Sequence, residues 1–307
     1  MSAPSTPSEA VPHVSFVVPV YNEEKVLEGS LDELRGFLEE LSTAAGRDPR
    51  DWELLLVDDG STDRSVELIE AWRAACPDAP VRLERLARNQ GKGAAVRHGM
   101  LAARGAYSFF LDADLSTPLD QTGAFLAALE SGSDVVLGNR RVPGSRITRR
   151  QPLVRETLGK GFTILVNLFL APGVHDFTCG FKGFRRDAAQ AVFQRSTLNG
   201  WAFDAELVVI AQAQDLKLAQ LPVSWHHEDD TKVRLLGAVV GSAILALLAT
   251  VALYIMAQAE ADPWAQEFWA RLLEAAVPVA AVATAVRQTV AKAVDIGARV
   301  ETIRVQA

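Results

Sequence analysis

Apolar and polar positions take turns along residues 14–226 in a way that predicts alternating strands and helices. Two continuous apolar runs, VSFVVPV at 14–20 and ELLLV at 53–57, are typical of parallel strands that are buried on both faces. Three further runs predict strands at 81–87, 108–113 and 134–139. The intervening segments predict helices at about 23–45, 63–75, 91–103 and 118–131. This β-α-β order predicts an α/β fold with a mainly parallel sheet.

The last quarter of the chain follows a different pattern. Residues 235–257 contain no charged side chain, and a helix of that length, at ~1.5 Å per residue, is long enough to cross the core of a bilayer. We expect a transmembrane helix there; a helix buried inside a homo-oligomer is the alternative. Residues 268–286 are expected to form a second span or an amphipathic helix lying on the membrane. The charges around these runs predict that both ends of the hairpin face the cytoplasm.

These patterns divide the chain into three parts. Residues 1–13 lack the apolar stretch of a signal peptide and are expected to form a disordered leader. Residues 14–230 are expected to form the globular domain, and residues 231–307 a membrane-associated tail. Within the globular part, residues 161–174 are apolar enough to form a helix in the membrane interface.

Composition excludes several classes of protein. Of the 307 residues, 49% are hydrophobic and 22% are charged, which supports a sizeable core and excludes a disordered or fibrous chain. The net charge of −7 argues against broad electrostatic binding of nucleic acid. Cys76 and Cys179 are too few for a disulfide framework and indicate a reducing compartment.

Acidic side chains follow three of the predicted strands, in the segments PVYNEE at 19–24, DDGSTD at 58–63 and DAD at 112–114. The carboxyl ends of parallel strands meet at one edge of a sheet, and ligands bind at that edge. Clustered carboxylates repel each other unless a cation offsets their charge, as a divalent metal with a bound diphosphate does. Helix capping by Thr62 or Asp63 is the alternative for the second segment.

Asp112 and Asp114 are separated by one residue. In an extended segment they would point to the same side, so that both reach one hard cation. An EF-hand loop starting at Asp112 would need Gly at 117 and Glu at 123, but the chain has Thr117 and Gly123 there. Phosphatases with an aspartyl nucleophile also use a DxD segment, but usually after the first strand, whereas here it follows the fourth. The pattern therefore favours a divalent cation between these two carboxylates.

The segment NQGKG at 89–93 follows the third predicted strand and lacks the spacing of a P-loop. Glycines at the start of a helix allow a ligand to approach the backbone closely. Lys92 is expected near the positive end of that helix, where an anion is favoured. An ordinary tight turn is the alternative.

Taken in order, PVYNEE, VDDGSTD, NQGKGAAVRHG and LDADLSTP resemble the family 2 glycosyltransferases, the inverting group with the GT-A fold. Three later segments are similar to the polyprenyl-phosphate sugar transferases, among them the dolichyl-phosphate β-glucosyltransferases. These segments are RRQPLVRETLGKGFTILV, DFTCGFKGFRRDAA and GWAFDAELV. The resemblance runs in order from about residue 14 to 226, and it implies a GT-A domain.

The resemblance implies roles on the donor side of such a site. The residues implied to line the nucleotide pocket are Pro19, Tyr21, Asn22, Glu23 and Lys92. Asp58 or Asp59 is implied to contact the base. Asp112 and Asp114 are implied to hold Mg²⁺ or Mn²⁺ against the diphosphate, which a metal neutralises without proton transfer.

Four acidic residues are candidates for catalysis, namely Asp112, Asp114, Asp176 and Asp204. Asp204 and Glu206 alternate with apolar residues, so one of them is expected to line the site while the other orients a basic residue. If the acceptor is a lipid phosphate, its oxygen is already anionic near neutral pH and no strong general base is required.

A phosphate acceptor instead requires a basic clamp. Residues 140–160 hold seven basic residues and one acidic residue, directly before the apolar segment 161–174. The candidates for binding the acceptor are Arg140, Ser145, Arg146, Arg149, Arg150 and Lys182. A solvated basic face is the alternative.

The leading hypothesis is therefore an inverting enzyme that moves glucose from UDP-glucose to a polyprenyl phosphate at the cytoplasmic face of a membrane. GDP-mannose as donor, or a different lipid or glycan as acceptor, is the alternative within the same class. The alternative outside enzymes is a scaffold that binds nucleotide sugars or partners through its tail. The hydrophobic tail also makes a homo-oligomer an open alternative.

Overall fold

We describe the computed structural model of the chain over residues 11–48, 51–117, 119–147, 163, 166–167, 171–200 and 203–225. The chain divides into two units, Met1–Thr231 and Lys232–Ala307, and the described residues all belong to the first. Among them, no helix combines the length and the apolar character needed to cross a bilayer. Both predicted spans, 235–257 and 268–286, lie outside the described residues.

Nine strands and six α-helices make up the described part of the chain. The strands are β1 (Val14–Val20), β2 (Trp52–Asp58), β3 (Val81–Arg85), β4 (Tyr107–Phe110), β5 (Val135–Asn139), β6 (Arg146–Ile147), β7 (Lys182–Arg185), β8 (Leu218–Pro222) and β9 (Ser224–Trp225). The helices are α1 (Glu24–Ala44), α2 (Ser65–Ala75), α3 (Lys92–Ala102), α4 (Thr122–Glu130), α5 (Arg186–Phe193) and α6 (Phe203–Ala213). A 3-10 turn, Leu119–Gln121, precedes α4.

Seven strands form one sheet in the order β3-β2-β1-β4-β7-β5-β8. β1, β2, β3 and β4 are parallel to one another, and β8 is parallel to β5. β7 is antiparallel to both of its neighbours, β4 and β5. The predicted α/β fold with a mainly parallel sheet is therefore confirmed. β6 and β9 form a separate two-stranded sheet.

The apolar runs that predicted the strands form the centre of the core. Neighbouring residues on a strand point to opposite faces of the sheet. Phe109 stacks on Phe16 with 5.2 Å between the ring centroids, on the face covered by α1 and α4. Phe110 instead lies 5.9 Å from the ring of Phe203 on α6, on the opposite face. Burying apolar side chains on both faces is the main stabilising contribution to this fold.

Two predicted elements differ from the structure by three or more residues at one end. The strand predicted at 108–113 stops at Phe110, because the chain turns after Asp112, where Leu115 has a positive φ of 49°. The helix predicted at 118–131 begins at Thr122, after the 3-10 turn. The first of these differences affects the candidate metal ligands directly.

Candidate active site

The acidic segments after β1, β2 and β4 lie at one edge of the sheet. Val20 at the end of β1 is in register with Asp58 at the end of β2, and Asp59 N–H donates to the Val20 carbonyl at 2.8 Å. Leu111 N–H, just after β4, donates to the Val17 carbonyl of β1 at 3.1 Å. The three segments thus converge because the strands that carry them are parallel.

The first two acidic segments bind each other. Asn22, with a positive φ of 54°, accepts hydrogen bonds at its side-chain oxygen from Thr62 N–H at 2.8 Å and Asp63 N–H at 3.3 Å. Ser61 Oγ accepts from Asn22 N–H at 3.0 Å in return. The Asn22 side-chain oxygen, implied to face the nucleotide, is therefore used to join the two loops. Tyr21, beside it, is 37% exposed.

Helix capping by Thr62 or Asp63 was the alternative for this segment; the N-cap of α2 is Arg64, but the side chain of Asp63 binds backbone amides at the starts of two helices. Asp63 Oδ1 accepts from Ser65 N–H, the first residue of α2, at 3.0 Å, and its Oδ2 accepts from Glu24 N–H at 3.2 Å. Glu23 N–H donates to Ser65 Oγ at 2.7 Å. These bonds satisfy backbone groups at the starts of α1 and α2, which lack partners within their own helices.

Asp58 and Asp59 are both buried, and the protein itself occupies their oxygens. Asp58 Oδ1 accepts from Ser61 N–H at 3.0 Å. Asp59 accepts from Gln90 N–H at 2.7 Å and from Gly91 N–H at 2.8 Å. Burial raises the pKa of Asp59 overall, although these two amides oppose the rise. The carboxylate of Asp59 therefore holds the glycine segment before α3.

The start of α3 is held from a second side as well. Gly93 N–H donates to the Asn199 carbonyl at 2.8 Å, and a Cβ at Gly91, where φ is 101°, would overlap the same carbonyl oxygen. The protein's own acceptors therefore take the Gly91 and Gly93 amides that were expected to face an external anion. A ligand at this point meets the side chain of Lys92.

Glu206 organises the loop that carries Asn199. Its buried carboxylate accepts from Thr197 N–H at 2.9 Å, from Thr197 Oγ1 at 2.8 Å and from Leu198 N–H at 2.9 Å. The alternation of acidic and apolar residues around Glu206 suggested that it lines the site or orients a basic residue. The structure instead places it on α6, where it fixes the loop packed against the start of α3.

The side chain of Lys92 reaches the DxD segment. Its ammonium donates to Asp112 Oδ1, and the two side chains are 39% and 33% exposed. Burial lowers the pKa of Lys92, but the charges of Asp112, Asp204 and Asp114 more than offset this and raise it overall. The charges of three predicted site residues therefore act on the ammonium group of a fourth, Lys92.

Asp112 and Asp114 lie in a turn, not in the extended segment that the sequence analysis expects. Leu115 N–H donates to the Asp112 carbonyl at 3.1 Å, which closes the turn. Asp114 Oδ1 accepts from Ser116 N–H at 3.0 Å and from Ser116 Oγ at 2.6 Å. Within the described part of the chain, no group donates to Asp114 Oδ2. Gly180 packs against Asp112, where a Cβ would overlap the carboxylate.

This donor set fits a divalent cation that is shared with a phosphate ligand. The described residues contain no cluster of three or more potential metal ligands. Mg²⁺ and similar ions are commonly held by one or two carboxylates together with substrate phosphates and water. Asp112 and Asp114 are the two carboxylates that would hold such an ion here, together with the phosphate groups of a ligand.

Asp176 and Arg140 form a buried ion pair. Arg140 donates from Nε at 2.7 Å and from Nη2 at 2.8 Å to the two oxygens of Asp176. Burial raises the pKa of Asp176, but the charge and hydrogen bonds of Arg140 lower it by more. The pKa of Asp176 therefore lies below its ordinary value. Arg140 also lies 5.2 Å from the ring centroid of Trp225. The predicted catalytic Asp176 is therefore fully engaged in orienting Arg140.

Lys182 and Asp204 form a second buried pair. Lys182 is fully buried, and its ammonium donates to Asp204 Oδ1 at 2.5 Å and to the Cys179 carbonyl at 2.7 Å. The expectation that Lys182 contacts the acceptor does not fit this position, because the antiparallel strand β7 carries it into the interior. Burial raises the pKa of Asp204 overall, although the charges of Lys182 and Lys92 oppose the rise.

The remaining acceptor candidates lie near the small sheet. Arg146 is exposed on β6, beside Ser224 on β9. Ser145 Oγ donates to the Asn139 carbonyl at 2.6 Å and shapes the turn before β6. Trp225, the last residue of β9, lies under Arg140. Arg149 and Arg150 lie outside the described residues, so their part in an acceptor site stays a prediction.

Comparison with known proteins agrees with this geometry. A family model described as Glycosyl transferase family 2 matches residues 15–193. A protein of Trichomonas vaginalis named dolichyl-phosphate beta-glucosyltransferase ALG5C is 36% identical over 241 residues, which cover 76% of this chain and 69% of that protein. The Homo sapiens dolichyl-phosphate beta-glucosyltransferase is 32% identical over 241 residues, which cover 75% of this chain and 72% of that protein.

Solved structures share the fold at lower identity. A structure titled as a mycobacterial protein has a TM-score of 0.54 at 22% identity and covers 78% of this chain and 74% of that chain. The mannosyltransferase PcManGT from Pyrobaculum calidifontis, solved with GDP-Man and Mn²⁺, has a TM-score of 0.51 at 19% identity and covers 89% of this chain and 79% of that chain. The chain belongs to glycosyl transferase family 2 and is a glycosyltransferase with the GT-A α/β fold.

Proposed function

We propose that this glycosyltransferase moves glucose from UDP-glucose to dolichyl phosphate or a similar polyprenyl phosphate, with inversion at the anomeric carbon. Relatives with this acceptor and sugar in their names are 30–36% identical over most of the chain, as the Trichomonas, yeast and human proteins illustrate. Because such an acceptor is a membrane lipid, we place the reaction at the cytoplasmic face of a membrane. The apolar runs 235–257 and 268–286 are our candidates for the attachment.

The observation that carries the proposal is that a basic partner holds each candidate catalytic acid except Asp114. Asp176 is held by Arg140, Asp204 by Lys182 and Asp112 by Lys92. An acceptor hydroxyl would need a free carboxylate as general base, and Asp114, the one candidate without a basic partner, is the acid that we assign to the metal. A phosphate oxygen needs no such base, because it is already ionised near neutral pH. Because these acids are already paired with basic groups, the site suits an acceptor whose attacking oxygen is itself an anion, as a phosphate oxygen is.

On the donor side, we propose that Tyr21 and the loops around Asp58 receive the nucleotide. Lys92 then contacts the diphosphate, and Asp112 and Asp114 hold Mg²⁺ or Mn²⁺ against it. The metal supplies positive charge that stabilises the leaving diphosphate. Lys92 and Asp114 contribute by fixing the position of the phosphate groups before the reaction.

A panel of donors and acceptors tests the proposal. We expect UDP-glucose with a polyprenyl phosphate to give a labelled lipid product faster than UDP-galactose, UDP-N-acetylglucosamine or GDP-mannose does. The same panel is run with the uncharged polyprenol, which should give no product. A preference for GDP-mannose would show that the donor is GDP-mannose and not UDP-glucose. Equal use of the polyprenol would contradict the proposal that the acceptor is a phosphate. No transfer from any donor would favour a scaffold that binds nucleotide sugars.

A second prediction concerns Arg146, which is exposed on β6 close to the Arg140–Trp225 contact. Loss of one charge-assisted contact to a phosphate typically costs about 1.5–3 kcal/mol. We therefore expect Arg146→Ala to raise the KM for the polyprenyl phosphate about tenfold or more and to leave the KM for the donor nearly unchanged. Steady-state kinetics with each substrate varied in turn measures both constants.

The matched control is Arg73→Ala, which removes the same charge from the last turn of α2, where Arg73 pairs with Glu70. This control should leave both KM values unchanged. A rise in the donor KM of Arg146→Ala, with the lipid KM spared, would instead assign this basic strand to the nucleotide diphosphate.

A further inference from the structure

Lys92 and Asp112 form an ion pair where the diphosphate and the metal of the proposed reaction would meet. The ammonium of Lys92 donates directly to Asp112 Oδ1. Both side chains are more than 30% exposed, so solvent and ligands reach the pair. An ion pair that solvent reaches contributes little to stability. The pair is thus available for exchange when a stronger partner arrives.

The backbone on either side of Lys92 is fixed, so that exchange does not require the helix to move. Gly91 N–H is held by Asp59 and Gly93 N–H by the Asn199 carbonyl, each at 2.8 Å. Lysine carries its charge on a flexible four-carbon stem. The ammonium of Lys92 is therefore able to change partner while the start of α3 stays in place.

A carboxylate that is paired with an ammonium group is a weaker ligand for a second cation. The existing pair has to break, and the two cations repel each other at short range. A nucleoside diphosphate relieves both the cost of breaking the ion pair and the repulsion between the two cations. Its oxygens accept hydrogen bonds from Lys92, and they also complete the coordination shell of a divalent ion. One ligand thus releases Asp112 and supplies the missing metal ligands.

We propose that Lys92 is the resting counter-ion of Asp112 and that it weakens divalent-cation binding until a nucleoside diphosphate takes over its ammonium group. This inference rests on the proposed function, in which Asp112 and Asp114 hold the metal. Nucleotide and metal then bind with positive coupling. By linkage, each raises the affinity of the other by the same factor. The site therefore does not fill with free metal in the absence of donor.

Binding of Mn²⁺ to the purified full-length chain tests this directly, measured by electron paramagnetic resonance with and without UDP. The wild-type chain should bind Mn²⁺ weakly alone and much more tightly with UDP. Lys92→Met, which keeps the length of the side chain but removes its charge, should bind Mn²⁺ without UDP about tenfold more tightly than wild type. The strengthening of Mn²⁺ binding by UDP should be correspondingly smaller in this variant.

Two control variants separate the local charge from other effects. Lys92→Arg keeps a positive charge beside Asp112 and should retain the weak Mn²⁺ binding of the wild type. Lys217→Met removes a charge just before β8, at the opposite edge of the sheet, and should also match the wild type. Thermal unfolding checks that each variant is folded, and Lys92→Gln replaces Lys92→Met if the latter does not fold.

The possible failures are distinguishable. If wild type and Lys92→Met bind Mn²⁺ equally without UDP, and both bind it normally with UDP, the inference is overturned while the proposed function stands. If the wild-type chain does not bind Mn²⁺ even with UDP, the metal-dependent donor site and the inference are both overturned.

Discussion

Asp114→Asn is expected to lower the rate of sugar transfer at least a hundredfold while leaving the fold intact. The substitution keeps an oxygen that can accept from Ser116 N–H and Ser116 Oγ, so the turn should persist. It removes the negative charge of the carboxylate that we assign as a metal ligand. A hundredfold loss of rate corresponds to about 3 kcal/mol of transition-state stabilisation. Measurement of kcat at saturating UDP-glucose and polyprenyl phosphate, over a range of Mn²⁺ concentrations, gives the size of the effect.

Asp120→Asn is the matched control, because Asp120 is an exposed aspartate in the 3-10 turn that follows the same loop. It should retain the wild-type rate. Full activity of Asp114→Asn would contradict the assignment of this carboxylate to the metal. Full activity of the wild-type chain in excess chelator would contradict metal-assisted transfer altogether.

Lys182→Met is expected to destabilise the folded chain by about 3–5 kcal/mol, because it leaves the charge of Asp204 buried without a partner. Lys182 is fully buried and contacts Asp204 directly, so water cannot replace the lost ammonium. The loss of stability in Lys182→Met, relative to the wild type, should become smaller as the pH falls. Burial already raises the pKa of Asp204, and without Lys182 the carboxyl takes up a proton more readily and then carries no charge to bury.

Urea unfolding of the full-length chain at neutral and mildly acidic pH measures this difference. The double variant Lys182→Met/Asp204→Leu removes both charges and should recover most of the lost stability. Lys217→Met, at an exposed position, should change the free energy of unfolding by less than about 0.5 kcal/mol. If the double variant is as unstable as the single variant, lost packing of the lysine stem, not the buried charge of Asp204, causes the effect.

The sequence predicts the five strands β1 to β5 of the main sheet, but neither β7 nor β8. β1 and β2 are continuous apolar runs, and their observed bounds, Val14–Val20 and Trp52–Asp58, agree with the prediction within one residue at each end. β7 reads KGFR, with a lysine, a glycine and an arginine in four residues. Its burial depends on Asp204, which is 22 positions away along the chain. Local periodicity carries no signal for such a pairing.

For the candidate site, the sequence predicts that the acidic segments meet at one edge of the sheet, as they do, but it does not show which of these acids already bind other groups of the protein. Asp58 or Asp59 was implied to contact a base, yet the oxygens of Asp59 bind amides more than 30 positions away. Asp112 and Asp114 were expected in an extended segment, but Leu115 adopts a left-handed conformation and turns the chain. Partners distant in sequence decide the first outcome, and the local backbone conformation of Leu115 decides the second, so the spacing of the acidic residues reveals neither.

The position of β7 also determines when the sheet can be completed during synthesis. β1 to β4 all lie within residues 14–110 and can pair as soon as that part of the chain has emerged. β4 and β5 cannot be joined until Lys182–Arg185 arrives between them, which makes these pairings long-range and slow. Until then both strands present unpaired edges, and unpaired edges invite association with other chains. The nascent chain is therefore expected to pass through a stage at which β1 to β4 are paired and the edge of β4 is still open, and to be most prone to association with other chains at that stage.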